Sequence, residues 1–258
     1  MTVVFKKLLG ALGVGGPSVD TVLSDPNVRP GGTLQGQVAI RGGSDAVDID
    51  HVTLAMVTRV EVESGDTEYD ATVPFHQLRV AGAFRLPAGE DKTIPFQLPV
   101  PWETPITAVF GQHLRGMTMG VRTELAVARA VDKGDLDPVN VHPLPAQEAI
   151  LEAFSRLGFQ FKGADLEHGR LRAVAQSLPF YQEISFYAAQ QYARALNEIE
   201  LTFVASPHAV EVVLEVDKRG GLFLGGRDVY HQFQIPHTGA EQTDWAAQID
   251  AWLRRVIA

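Results

Sequence analysis

Between Val19 and Pro143 the apolar positions recur at every second residue. Leu34, Val38 and Ile40 alternate with Gln35, Gln37 and Arg41, and Val52, Leu54, Met56, Val60 and Val62 form a longer run of the same kind. Successive side chains on a strand point to opposite faces, so each run predicts a strand with one apolar side. Ile94, Phe96, Leu98 and Val100 continue the pattern. Pro95 and Pro99 interrupt it with residues that have no N–H to offer a neighbour, which places that strand at a sheet edge. Val121, Thr123, Leu125 and Val127 then share a face, opposite Arg122 and Glu124. Glycine- and proline-rich turns separate these runs at short intervals with no helical period between them, the signature of an antiparallel sandwich. The acidic segment from Asp132 to Pro138 reads as turn chemistry, a connector dividing two lobes.

After Pro143 the period changes. Ile150, Phe154 and Leu157 lie at i, i+4 and i+7, predicting a linker helix over Ala146–Leu157 with Gly158 at its C′ position. Alternation resumes in Phe180–Phe186, Ile199–Phe203, Val210–Val216 and Val229–Ile235, with a hairpin signal at Arg219-Gly220-Gly221. Trp245, Ile249, Trp252, Leu253 and Val256 form the apolar stripe of a closing helix, capped by Thr243 and with Arg254 and Arg255 in its last turn. At the other end, Phe5, Leu8, Leu9 and Leu12 make a short amphipathic helix with Lys6 and Lys7 on another face, stopped by Gly15-Gly16-Pro17. The expected fold class is therefore all-β: two tandem antiparallel β-sandwich domains with short N-terminal, linker and C-terminal helices. The expected division is residues 1–145 and 146–258.

Composition narrows the function classes. The chain has 258 residues, enough for two cores, and a formal net charge of −9, which argues against a nucleic-acid partner. It has no cysteine, so no disulfide, thiolate metal site or thiol nucleophile is available. No apolar run reaches the roughly 18–20 residues of a membrane span. The segment after Lys6-Lys7 lacks the cleavage pattern of a secretory signal, so a cytoplasmic location is expected.

A search for reaction chemistry returns little. The eight histidines include no metal-binding helical or strand pair and no H-E-x-x-H. His231 alternates with apolar neighbours, as a core histidine does. No G-x-S-x-G elbow or phosphate-binding glycine loop is present. Asp45, Asp48 and Asp50, like Asp132, Asp135 and Asp137, are oxygen ligands without EF-hand spacing, and read as solvated turn acids. No catalytic residue, metal or cofactor is expected. The 105–118 stretch is the one long irregular segment of the first lobe. With Trp102, His113 and Arg115 it is where a ligand cleft would lie.

Several stretches in order, FKKLLGALGVGGPSVDTVL, VRPGGTLQGQVAIRGG, PFQLPVPWETPIT and VRTELAVARAVDKGDLDPVNVHP, followed by NEIELTFV and VEVVLEVDKRGG, resemble the bacterial sporulation-control proteins of the stage-zero M type. That family is similar in fold to the arrestins. The resemblance implies a non-enzymatic scaffold that regulates by protein–protein interaction. Exposed sheet edges and short helices leave a homodimer, by edge pairing or helix exchange, open. The alternative is a peripheral membrane or envelope adaptor making weak contact through the N-terminal helix. Partner or membrane contact then falls to Phe5, Lys6, Lys7, Leu8 and Leu12, and to Trp245 and Trp252. The arrestin likeness further implies an interdomain polar latch, for which Arg122, Asp132, Asp135 and Asp137 are the candidates.

Overall fold

The structure is a computed structural model that describes residues 15–64, 67–128, 132–218 and 228–257. The N-terminal helix predicted over Phe5–Leu12 and the hairpin signal at Arg219-Gly220-Gly221 lie outside those residues.

In chain order the strands of the first part are β1 (Ser18–Leu23), β2 (Asn27–Val28), β3 (Thr33–Arg41), β4 (Val47–Ser64), β5 (Thr67–Ala81), β6 (Phe84–Leu86), β7 (Asp91–Pro99), β8 (Ala108–Val109), β9 (Gln112–His113), β10 (Met119–Val127), β11 (Lys133–Pro138) and β12 (Asn140–Val141). Helix α1 (Pro145–Leu157) follows, then β13 (Gln160–His168), β14 (Phe180–Tyr187), β15 (Leu196–Ala205), β16 (Ala209–Lys218), β17 (Asp228–Pro236), a 3-10 turn and helix α2 (Trp245–Ile257).

Strands β1, β3 and β7 form one layer of the first lobe, with β7 at an edge as its prolines require. The facing layer is built on β4, with β10 and β11 to one side and β5 and β6 to the other. The alternation read from the sequence fills the space between: Leu34, Val38, Ile40 and Leu98 meet Val52, Leu54, Met56, Val121 and Leu125, all essentially without solvent exposure. Polar groups cross the same gap at one edge. The Thr21 and Thr123 hydroxyls lie 2.6 Å apart, and Asp135 Oδ2 accepts from the Thr21 N–H at 2.7 Å.

The acidic connector corrects an expectation. Residues 133–138 form strand β11, paired antiparallel to β10 from Gly120↔Pro138 to Leu125↔Lys133. As an edge strand it buries little, so its burial alternates between half-buried and exposed and leaves no apolar signature in the sequence.

Strand β4 is long, roughly 60 Å at about 3.3 Å per residue. Beyond the end of β10 its flank meets β13 in a parallel bridge, Glu61↔Glu167, so the hydrogen-bonded sheet continues through β13, β14, β15, β16 and β17. On the inner face of these strands Ile199, Leu201, Val210, Val212, Leu214 and Val216 are buried beneath the helices.

Helix α1 begins with Pro145 in its first turn, and the Gln147 side chain accepts from the Leu144 N–H at 2.8 Å. It ends at Gly158, whose φ of 85° is the left-handed conformation expected of a C′ glycine. Helix α2 buries Trp245, Ala246, Ile249, Trp252 and Leu253. His231 stacks on Trp252 at 4.6 Å and Phe233 on Trp245 at 5.6 Å. The cap of α2 differs from expectation: Asp244 Oδ1, one residue beyond Thr243, accepts from the Ala247 N–H. No helix among the described residues is long and apolar enough to cross a membrane.

Candidate functional site

Residues 101–118 lead from β7 to β10 and form much of the contact between the lobes. Glu103 accepts from the backbone N–H groups of Ser177 and Leu178, each at 2.9 Å, and from the Ser177 hydroxyl. Gln182 binds the backbone of Ile106 through both ends of its amide. Trp102 stacks on His237 at 5.2 Å, and Phe75 meets Phe180 edge to face. Gly116 lies so close to β13 that a Cβ there would come 2.0 Å from the Ala164 carbonyl oxygen.

Between these contacts and α1 a cleft of about 770 Å³ opens, within the size range of sites that take a ligand or a partner side chain. Its apolar wall comes from both lobes: Val109 and Leu114 on one side, Leu151, Phe159, Ile184 and Phe186 on the other. Phe110, Phe161 and Tyr187 stand at the rim with 55%, 39% and 55% of their surface exposed. They are three of the seven large hydrophobic side chains left exposed among the described residues, so the exposed apolar surface is concentrated here.

The backbone beneath Phe110 is strained. Phe110 and Gly111 join β8 to β9 with φ of 50° and 74°, the paired positive values of a tight hairpin turn. Glycine or asparagine takes such a conformation readily, whereas a phenylalanine there costs about 1–2 kcal/mol. What the turn gains is an aromatic ring presented at the mouth of the cleft, and strain of this kind concentrates at functional sites.

The polar side of the cleft carries positive charge. One guanidinium nitrogen of Arg115 donates to the Lys162 carbonyl at 2.8 Å, orienting the side chain, and no carboxylate among the described residues lies within ion-pair distance of it. The Lys162 ammonium is drawn to Glu198 in a close ion pair. His113 Nε2 is 2.9 Å from the Met117 carbonyl oxygen.

A second feature covers the outer face of β13–β16. Asp165 and Glu183 sit opposite each other, as do Glu200 and Glu215, and Glu167 lies two residues along. Oxygens of Asp165, Glu167 and Glu183 approach within 4.8 Å of one another, as do those of Glu183, Glu200 and Glu215, a spacing at which a divalent cation could be held. Burial, reinforced by the neighbouring carboxylates, pushes Glu183 up to about 8 and Glu200 up to about 7. Burial likewise raises Asp165, against the pull of Lys162.

The residues singled out from the sequence fall in three places. Phe5, Lys6, Lys7, Leu8 and Leu12 lie outside the described residues. Trp245 and Trp252 face the inner side of the sheet, 9% and 8% exposed, and the Trp245 indole N–H donates to the Ala240 carbonyl. Arg122 is exposed on β10 opposite Leu136, while Asp132, Asp135 and Asp137 follow on or just before β11. Asp132 accepts from the Val127 N–H and Asp135 from that of Thr21, bonds within the first lobe. Of the loop residues, His113 and Arg115 line the cleft, and Trp102 stands in the lobe contact.

Three comparisons place the chain among known proteins. A family model described as SpoOM protein matches residues 5–220. The chain is 35% identical over 216 residues to the sporulation-control protein Spo0M of Bacillus subtilis, covering 83% of this chain and 81% of that one. The crystal structure of Spo0M from Bacillus subtilis superimposes with a TM-score of 0.80 at 29% identity, covering 95% of this chain and 100% of that one. The arrangement of two β-layered lobes is thus the arrestin-like one.

Proposed function

The chain belongs to the Spo0M family of sporulation-control proteins, and from that premise we propose that it is a non-enzymatic cytoplasmic scaffold that regulates by binding another protein. Its two functional halves are residues 1–145 and 146–258, and the binding site is the cleft where they meet. One observation carries this reading: Phe110, Phe161 and Tyr187 remain exposed around a single cavity walled by both lobes. Aromatic side chains left exposed over an apolar floor are the residue type in which protein-docking surfaces are enriched.

The test is site-specific photocrosslinking in producing cells. A photoreactive phenylalanine analogue replaces Tyr187 at the rim or, as control, Tyr230, which is 62% exposed on the outer side of β17. Discrete adducts at Tyr187 and none at Tyr230 are expected. Adducts of equal yield at both positions, or at neither, overturn the assignment.

A further inference from the structure

The charge around the cleft says what kind of segment it receives. Chain-wide, 31 acidic residues outnumber 22 Lys and Arg. The cleft departs from that balance: among the described residues lining it are Arg115, Lys162 and His113, and no aspartate or glutamate. Lys162 is committed to Glu198, and His113 is engaged with a backbone oxygen. Arg115 differs. Its anchoring bond to the Lys162 carbonyl uses one N–H of five, so the remaining fork stays available in a fixed orientation.

We infer that the cleft takes a short segment of a partner protein in which an aspartate or glutamate lies beside a large apolar side chain, the carboxylate on Arg115 and the apolar group among Phe110, Phe161 and Tyr187. This deepens the protein-docking reading above and rests on it. Charge complementarity carries the acidic half: a carboxylate and a guanidinium match as a planar, two-bond pair. The exposed rings carry the apolar half.

A displayed library of random dodecapeptides, selected on the full chain and on its Arg115→Glu variant, tests this. The wild-type pool is expected to be enriched in Asp or Glu next to Phe, Leu or Trp. The Arg115→Glu pool should lose the acid and retain the apolar residue. Representative wild-type peptides, made synthetically, should bind Arg115→Gln about tenfold more weakly, the scale of one charge-assisted contact. Circular dichroism and thermal melting of both variants report whether the fold is kept, and Phe161→Ser, which leaves Arg115 in place, provides a second route to loss of binding. Pools without acidic enrichment, or identical pools from the two proteins, overturn the inference. Crosslinking at Tyr187 together with such pools would leave the docking site standing and remove only the charge assignment. Laurate that binds with the same Arg115 dependence, while no peptide is enriched, would assign the cleft to a small amphiphile and overturn the peptide reading.

Discussion

Gln182 reads the backbone of Ile106 at both ends: its Oε1 accepts from the Ile106 N–H at 3.1 Å, and its Nε2 donates to the Ile106 carbonyl at 2.8 Å. The pair spans the two lobes, is buried, and substitutes for a rung of sheet where no strand pairing occurs. Replacing Gln182 with methionine keeps the volume and strands two buried backbone groups. We expect a loss of roughly 2–4 kcal/mol, and a melting temperature lower by on the order of 10 °C. Chemical denaturation and thermal melting measure it, and an unchanged midpoint would count against the lobes being tied here.

Gly116 and Gly111 separate two reasons for a glycine. Both have positive φ, 101° and 74°, but a Cβ on Gly116 would strike the Ala164 carbonyl, whereas Gly111 faces open space. Gly111→Ala should cost about 1–2 kcal/mol, the backbone penalty alone. Gly116→Ala adds the displacement of residues 115–116 from β13, and should be more destabilising by at least ~1 kcal/mol. Urea denaturation of the two variants side by side decides it; equal losses would mean the clash is relieved without cost.

The acidic face of β13–β16 sets a pH dependence. Glu183, pushed to about 8, and Glu200, pushed to about 7, hold protons in the folded chain that an unfolded glutamate releases near the ordinary value of 4.5. Between those values the native state binds more protons than the unfolded one, so stability is greatest at the acid end and falls as pH rises toward 8. Glu183→Gln should flatten the slope between pH 5 and 8 and raise the melting temperature most at pH 8. A melting temperature that rises steadily over that interval would contradict the assignment.

Asp135 holds β1 to the neighbouring layer through the Thr21 amide. Asp135→Ala should speed hydrogen exchange at Thr21 and cost about 1–2 kcal/mol; Asp135→Asn retains an acceptor and most of the protection. Because the bonds of Asp132 and Asp135 stay within the first lobe, small-angle scattering should show unchanged lobe spacing in both variants. A change in spacing would move these acids into the role of an interdomain latch.

How far the sequence discloses this molecule depends on whether a residue's partner is near or far. Val52, Leu54 and Met56 betray β4 because a half-buried strand writes its geometry as alternation, and Gly158 betrays the end of α1 because only glycine is at ease there. Strand β11 escapes notice, since an edge strand that itself carries Asp135 and Asp137 buries too little to leave a pattern. The loop with His113 and Arg115 could be singled out for its irregularity. Its partners could not: Phe161 reads as an ordinary strand residue, and Tyr187 sits at the frayed end of an apolar run. In the sequence Glu200 and Glu215 stand only on the polar sides of two separate strands; it takes the register of four strands to bring them together with Asp165 and Glu183.

The stack of Trp102 on His237 has an optical consequence. With tryptophan present only at positions 102, 245 and 252, and the latter two enclosed between α2 and its sheet, the indole at 102 is the emitter lodged where one lobe touches the other. In a chain carrying phenylalanine at the two helix positions, the tryptophan emission would come from that junction alone, giving a native gauge of whether the halves stay in register when a guest arrives.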